Sequence, residues 1–175
     1  QNTATGVLTV IGTQFDKNKA SGAAGPTQGG GAINNEDGGV VSLINCTLSG
    51  NAANKGGYGG AIRNASAAGF TITNCTVTLN ETIELGGGSG VASIGSAVTR
   101  LDNTIVIGNP TGGDLSGTIG SNLGHNIIGS TAGATLVGNT DGNLSGIAMA
   151  SVIDVTLEHQ VGLPRYHAPI GGSPA

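Results

Sequence analysis

The chain has 175 residues, 34 of them glycine, with 9% charged residues and a net charge of −4 at neutral pH. Six scattered Lys/Arg, two Tyr, two Phe and no Trp leave neither a basic stripe nor a stacking platform, which argues against nucleic-acid binding. The low charge and recurrent apolar runs argue against a solvated coil, and no apolar run approaches the roughly 20 residues that cross a bilayer. The interior volume must therefore come from Val, Ile, Leu, Thr and Ala, which requires closely spaced backbone.

In chain order, the first element is "GVLTVIGTQFDKN" at 6–18, followed by a Gly/Pro loop at 21–31. "GGVVSLINCTLSGN" at 38–51 and "AGFTITNCTVTLN" at 68–80 then repeat nearly the same words, and "LDNTIVIGN" at 101–109 repeats them again. Asn45, Asn74 and Asn103 stand 29 residues apart, and the same shift aligns Cys46 with Cys75 and Thr104. It also aligns Leu48 with Val77 and Val106, Asn51 with Asn80 and Asn109, and Leu43 with Ile72 and Leu101. The first copy joins at a spacing of 33 through Leu8, Val10, Thr13, Phe15 and Asn18. "GGGAI" at 29–33 and "YGGAI" at 58–62 supply a further short strand per copy.

Apolar residues alternate within each copy and Gly or Asn marks the corners, which is a strand pattern without a competing helical period. Short strands repeating about every 29 residues predict an all-β parallel solenoid, each repeat one coil stacked about 4.8 Å from the next. Identical columns then form ladders: aliphatic rungs inside, and asparagine rungs at the corners that bond from coil to coil. On this reading Asn45, Asn74, Asn103, Asn51, Asn80 and Asn109 are structural rungs, and Asn45 and Asn74 are buried. Residues 1–175 form one domain, with regular coils over 1–109, irregular coils over 110–158, and a Pro-containing segment over 159–175 that serves as a cap or contact.

"GGAI.N" at 30–35 and 59–64, "INCTLSGN" at 44–51, "LDNTIVIGN" at 101–109, "DLSGTIGSNLGHNIIG" at 114–129 and "GSPA" at 172–175 together resemble bacterial right-handed parallel β-helix surface proteins of the choice-of-anchor Q and polymorphic outer-membrane-protein kind. The resemblance implies right-handed winding, export, extracellular or cell-surface placement, and a structural or adhesive role without enzymatic activity. Export further implies that a leader has been removed ahead of Gln1. The chain departs from the family in its "LEHQVGLPRYHAP" segment and in having no acidic-glycine ending beyond "GSPA".

Polysaccharide cleavage on such a fold needs carboxylates clustered in one column or two columns apart. Asp16 instead shares its column with Ser49, Thr78 and Ile107, and Asp102 with Thr73, Ile44 and Ile11, while Glu36/Asp37 and Glu81/Glu84 read as loop charges. "GNTDGN" places Asn139, Asp141 and Asn143 at alternate positions, a weak calcium candidate lacking the acidic closing ligand, for which an Asx/Gly turn is the simpler reading. His125, His159 and His167 share no metal-ligand spacing. Cys46 and Cys75 lie one coil apart, a separation a disulfide tolerates, although side chains in one ladder point the same way, which favours free thiols. No cofactor is expected. The leading partner is a second copy, stacked end to end into a filament, since a solenoid has two open edges. The alternatives are a glycan-binding or glycan-cleaving face using Tyr58, Arg63 and Arg100, other cell-surface partners, and a fragment of a longer adhesin.

Overall fold

The structure, a computed structural model, describes residues 1–21, 28–54, 56–83, 87–161 and 165–174. Most of the Gly/Pro loop at 21–31, Lys55, Glu84, part of the 159–175 segment and the final residue of "GSPA" lie outside those residues. The regular secondary structure of the described chain is almost all strand, wound so that each strand of the coils lies parallel to its equivalent in the next coil. Each full coil passes through four walls. The first wall stacks Val7–Ile11, Val40–Ile44, Phe70–Thr73, Val98–Asp102, Leu115–Ser121 and Ala134–Gly138. The second stacks Gln14–Asp16, Thr47–Ser49, Thr76–Thr78, Ile105–Ile107, Ile127–Ile128 and Leu144–Ser145. The third is short, Lys19–Ala20, Ala52–Ala53 and Glu81–Thr82. The fourth stacks Ile33–Asn35, Ile62–Asn64 and Val91–Ser93, then joins the first wall through Leu115–Ser121.

The strand register reproduces the sequence spacing. Val7 pairs with Val40 at an offset of 33, Val41 with Phe70 and Phe70 with Thr99 at 29. The offset then falls to 20 at Val98↔Thr118 and 17 at Thr118↔Thr135 on the first wall. The period fades because the third wall has no described strand after Glu81–Thr82, so the later coils close with fewer residues.

Strand alternation sends one residue in two to the interior, and the columns Leu43–Ile72–Leu101 and Leu48–Val77–Val106 are all buried in one continuous core. Burying each such side chain contributes about 1.5–3 kcal/mol relative to exposure. The coil turns from the first wall to the second at Asn45, Asn74 and Asn103, with φ of 54°, 54° and 50°. Gly12, His125 and Gly142 hold the same left-handed conformation in the coils before and after. Asparagine tolerates this region better than other non-glycine residues, which explains its recurrence at the corner.

After the last coil the chain turns back. A 3-10 turn at Met149–Ser151 leads into an antiparallel hairpin, Ile153–Glu158 with Tyr166–Pro169. The hairpin lies along the outside of the second wall, across several coils. Val152 and Ile153 form a second small core with Ile107 and Ile127, and Thr78 donates to Met149 Sδ at 3.3 Å. At the far end of the hairpin Arg165 pairs with Asp16 at 3.4 Å. The Pro-containing segment thus makes a lateral contact.

Candidate functional site

Three polar ladders run along the stack. In the deepest, Asn51 donates its backbone N–H and its Nδ2 to Asn80 Oδ1 at 2.9 and 2.8 Å. Asn80 does the same to Asn109 Oδ1, and Asn109 to Asp114 Oδ1 at 2.8 and 2.7 Å. Asn18 starts the run on Asn51. Asp114 ends it, its other oxygen accepting the Ser130 N–H at 2.7 Å, and burial pushes this carboxyl above the ordinary range against those hydrogen bonds.

The second ladder follows the inner side of the corner. Each backbone N–H donates to the side chain one coil on: Cys46 to Cys75 Sγ, Cys75 to Thr104 Oγ1, Thr104 to Asn126 Oδ1, and Asn126 to Asn143 Oδ1. Cys46 and Cys75 are buried free thiols. Their mutual hydrogen bond and burial push Cys75 well above the usual thiol range. The third ladder joins Asn2, Asn35 and Asn64 through Nδ2-to-Oδ1 bonds of 2.9 and 3.0 Å. Its signal was present in the sequence as the final Asn of "GGAI.N". Asn126 and Asn143 fell outside the 29-residue count because their coils are shorter.

Three sequence expectations change. Asn45, Asn74 and Asn103 are exposed rather than buried, since the left-handed corner turns their side chains outward; only an Asn103-to-Asn74 bond at 2.7 Å links them. Arg63 is buried on the fourth wall, bonded to Glu36 and to Asn34 Oδ1, and is not free to meet a ligand. Burial works against the Glu36 charge, yet hydrogen bonds from Gln1, Asn34 and Arg63 hold its carboxyl below the ordinary value. Tyr58 and Arg100 are half-buried, and Arg100 lies on the first wall, so the three residues do not form one face. Asn139 Oδ1 accepts the Asp141 N–H at 2.9 Å, an Asx turn, while Asn143 is spent on the corner ladder; among the described residues no metal-binding cluster forms.

The remaining feature is the pair of open ends. At one, Leu8, Val10 and Phe15 point inward but are only partly covered, and Val7 and Ile11 are 76% and 63% exposed. Val40 donates to Gly6 O and Gly12 donates to Ile44 O, which sets the alternation: Gly6, Leu8, Val10 and Gly12 face the next coil. The backbone groups of Val7, Thr9 and Ile11 therefore face outward. At the other end, Gly117 donates to Gly133 O and Asn139 to Ser121 O, so Ala134, Leu136 and Gly138 face outward. Leu136 lies in one column with Ile119, Thr99, Phe70, Val41 and Leu8. The two free edges thus carry the same hydrogen-bond phase as any internal pair of coils.

No family model matches the chain, nor does any curated protein or solved structure.

Proposed function

We propose that this chain is an extracellular structural subunit: a right-handed parallel β-helix that stacks end to end into a filament, surface stalk or adhesin. Right-handed winding and export rest on the motif resemblance. The observation that carries assembly is the matched phase of the free edges. Placing Leu8 of a second copy above Leu136 continues the inner column and lets Leu136 bond to the backbone around that Leu8, as Val41 bonds around Phe70. A top edge meeting a bottom edge is a heterologous contact, which propagates into an open filament.

Electron microscopy across a concentration series tests this directly. The expected product is a uniform fibre with an axial repeat of roughly 30 Å, the length of six coils at about 4.8 Å each. Thr9→Pro removes an outward-facing edge N–H, a position at which a strand tolerates proline. It should leave circular dichroism unchanged and abolish fibres. Dispersed wild-type monomers at every concentration would overturn the proposal.

A further inference from the structure

His167 reaches across from the hairpin to the second wall, and both of its ring nitrogens are engaged. Nδ1 lies 2.9 Å from the Asp154 carbonyl oxygen, and Nε2 lies 2.9 Å from Ser49 Oγ. A carbonyl oxygen only accepts, so Nδ1 carries the proton of the neutral ring. Nε2 is then a bare acceptor, and the Ser49 hydroxyl must donate to it. This is the tautomer and the polarity that a serine nucleophile needs from its base, with the backbone of Asp154 fixing the ring. Ser49 and His167 also line a cavity of about 270 Å³ between hairpin and wall.

We propose that Ser49 is an activated nucleophile, with His167 as its general base, in a site that accepts small carboxylic esters. The acyl group packs against Leu79, Val155 and Leu157, which line the cavity. Ser49 Oγ bonds to the ester carbonyl carbon while its proton passes to His167 Nε2. The carbonyl re-forms as the alkoxide leaves with that proton, giving the acylated serine and an alcohol. Water then attacks the acyl carbon, again losing a proton to Nε2, and the carboxylic acid departs as Ser49 is restored.

The charged groups around the ring suit these steps. Lys17 and Arg165 line the same cavity and are the cations available to a developing oxyanion, Arg165 sharing its charge with Asp16. The Asp154 carboxylate accepts the Thr156 N–H at 2.6 Å, and hydrogen bonds from Thr156 hold it below the ordinary range, so an anion belongs to the same strand turn that fixes the ring. Among Ser49's column mates, Thr78 turns its hydroxyl to Met149, so the hydroxyl facing His167 is that of Ser49.

The experiment is to treat the full chain with a fluorophosphonate ester and map the adduct by mass spectrometry, then follow 4-nitrophenyl acetate hydrolysis against pH. One adduct on Ser49 is expected, with hydrolysis faster at high pH than at low. His167→Gln keeps a hydrogen-bonding side chain but no base, and should slow labelling at least tenfold at unchanged circular dichroism; Ser49→Ala should abolish the adduct. Absence of an adduct on Ser49 in the folded wild type, or labelling equally fast in His167→Gln, would overturn the proposal and leave the contact as a structural clip. The wild-type labelling stands even if a variant loosens the hairpin.

Discussion

Asn80 Oδ1 accepts two hydrogen bonds from Asn51, one from the backbone and one from the side chain, in a site from which water is excluded. The Asn80 amide nitrogen in turn reaches the carbonyls of Leu48 and Thr78 and the side chain of Asn109. Asn80→Ala leaves several buried groups in two coils without partners, and should destabilise the chain by about 3 kcal/mol. The exposed corner behaves differently. Asn103→Gly should change stability by less than about 0.5 kcal/mol, because glycine adopts the left-handed φ freely, whereas Asn103→Ala should cost about 1 kcal/mol in backbone strain. Urea titration of the three variants separates the two kinds of asparagine.

The thiol ladder gives a substitution that should be silent. Thr104 follows Cys75 in its column, and its hydroxyl accepts the Cys75 N–H while donating to the Asp102 carbonyl two residues back. Cys75 Sγ occupies the same relation to the Cys46 N–H and to Thr73 O. Cys75→Thr should therefore preserve stability, while Cys75→Ala removes the acceptor for a buried N–H and should cost about 1–3 kcal/mol. Both thiols should resist an aromatic disulfide reagent in the folded chain and react on unfolding.

The aliphatic columns were legible because alternation and period agree: Leu43, Ile72 and Leu101 satisfy both, and a one-residue slip would turn all three outward. The two asparagine columns were not separable by sequence. Asn45 and Asn51 both end apolar runs, and only the sign of φ at Asn45 decides which faces solvent. Arg63 read as a surface charge because its partner Glu36 belongs to the preceding coil's turn, away from the 29-residue column. The Ser49–His167 contact spans 118 residues and joins a repeat to a segment outside it, so no periodicity could announce it.

Asp102 should make stability depend on acid. Its Oδ1 accepts from Ser121 Oγ and from the N–H groups of Asn122 and Leu123 at 2.9, 2.7 and 2.8 Å. Burial opposes the charge, but these bonds prevail and hold the carboxyl below its ordinary value of 3.8. A carboxyl depressed in the folded state contributes stability that is fully present above the unfolded value and is lost as pH falls through the folded one. Asp102→Asn should lower stability at pH 7 by about 1–2 kcal/mol and show a smaller further loss between pH 5 and 2 than the wild type. Equal acid dependence in denaturant midpoints would remove Asp102 from this account.

The second glycine of "GGAI" is set by crowding, and the third coil tests the point. A Cβ on Gly60 would stand 2.4 Å from Ser89 O and 2.5 Å from Glu81 O, and one on Gly31 equally close to Gly60 O and Ala52 O. Those carbonyls belong to the adjacent coil and cannot give way without disturbing it. Ser89 occupies the next position of the column, where the third wall has no described strand above Glu81–Thr82 and the buried hydroxyl lies 3.3 Å from Thr82 Oγ1. Gly60→Ala should therefore cost about 3 kcal/mol, lowering the melting temperature by roughly 6–12 °C in a chain of this size. Gly95 makes the control: its φ is +63° but nothing lies within 4 Å of its Cβ position. Gly95→Ala should lower the melting temperature by only about 2–4 °C, from backbone strain of about 1 kcal/mol. Gly60 itself has no left-handed φ, so equal losses in the two variants would mean that the neighbouring coil yields to an added Cβ and that crowding does not select glycine at position 60.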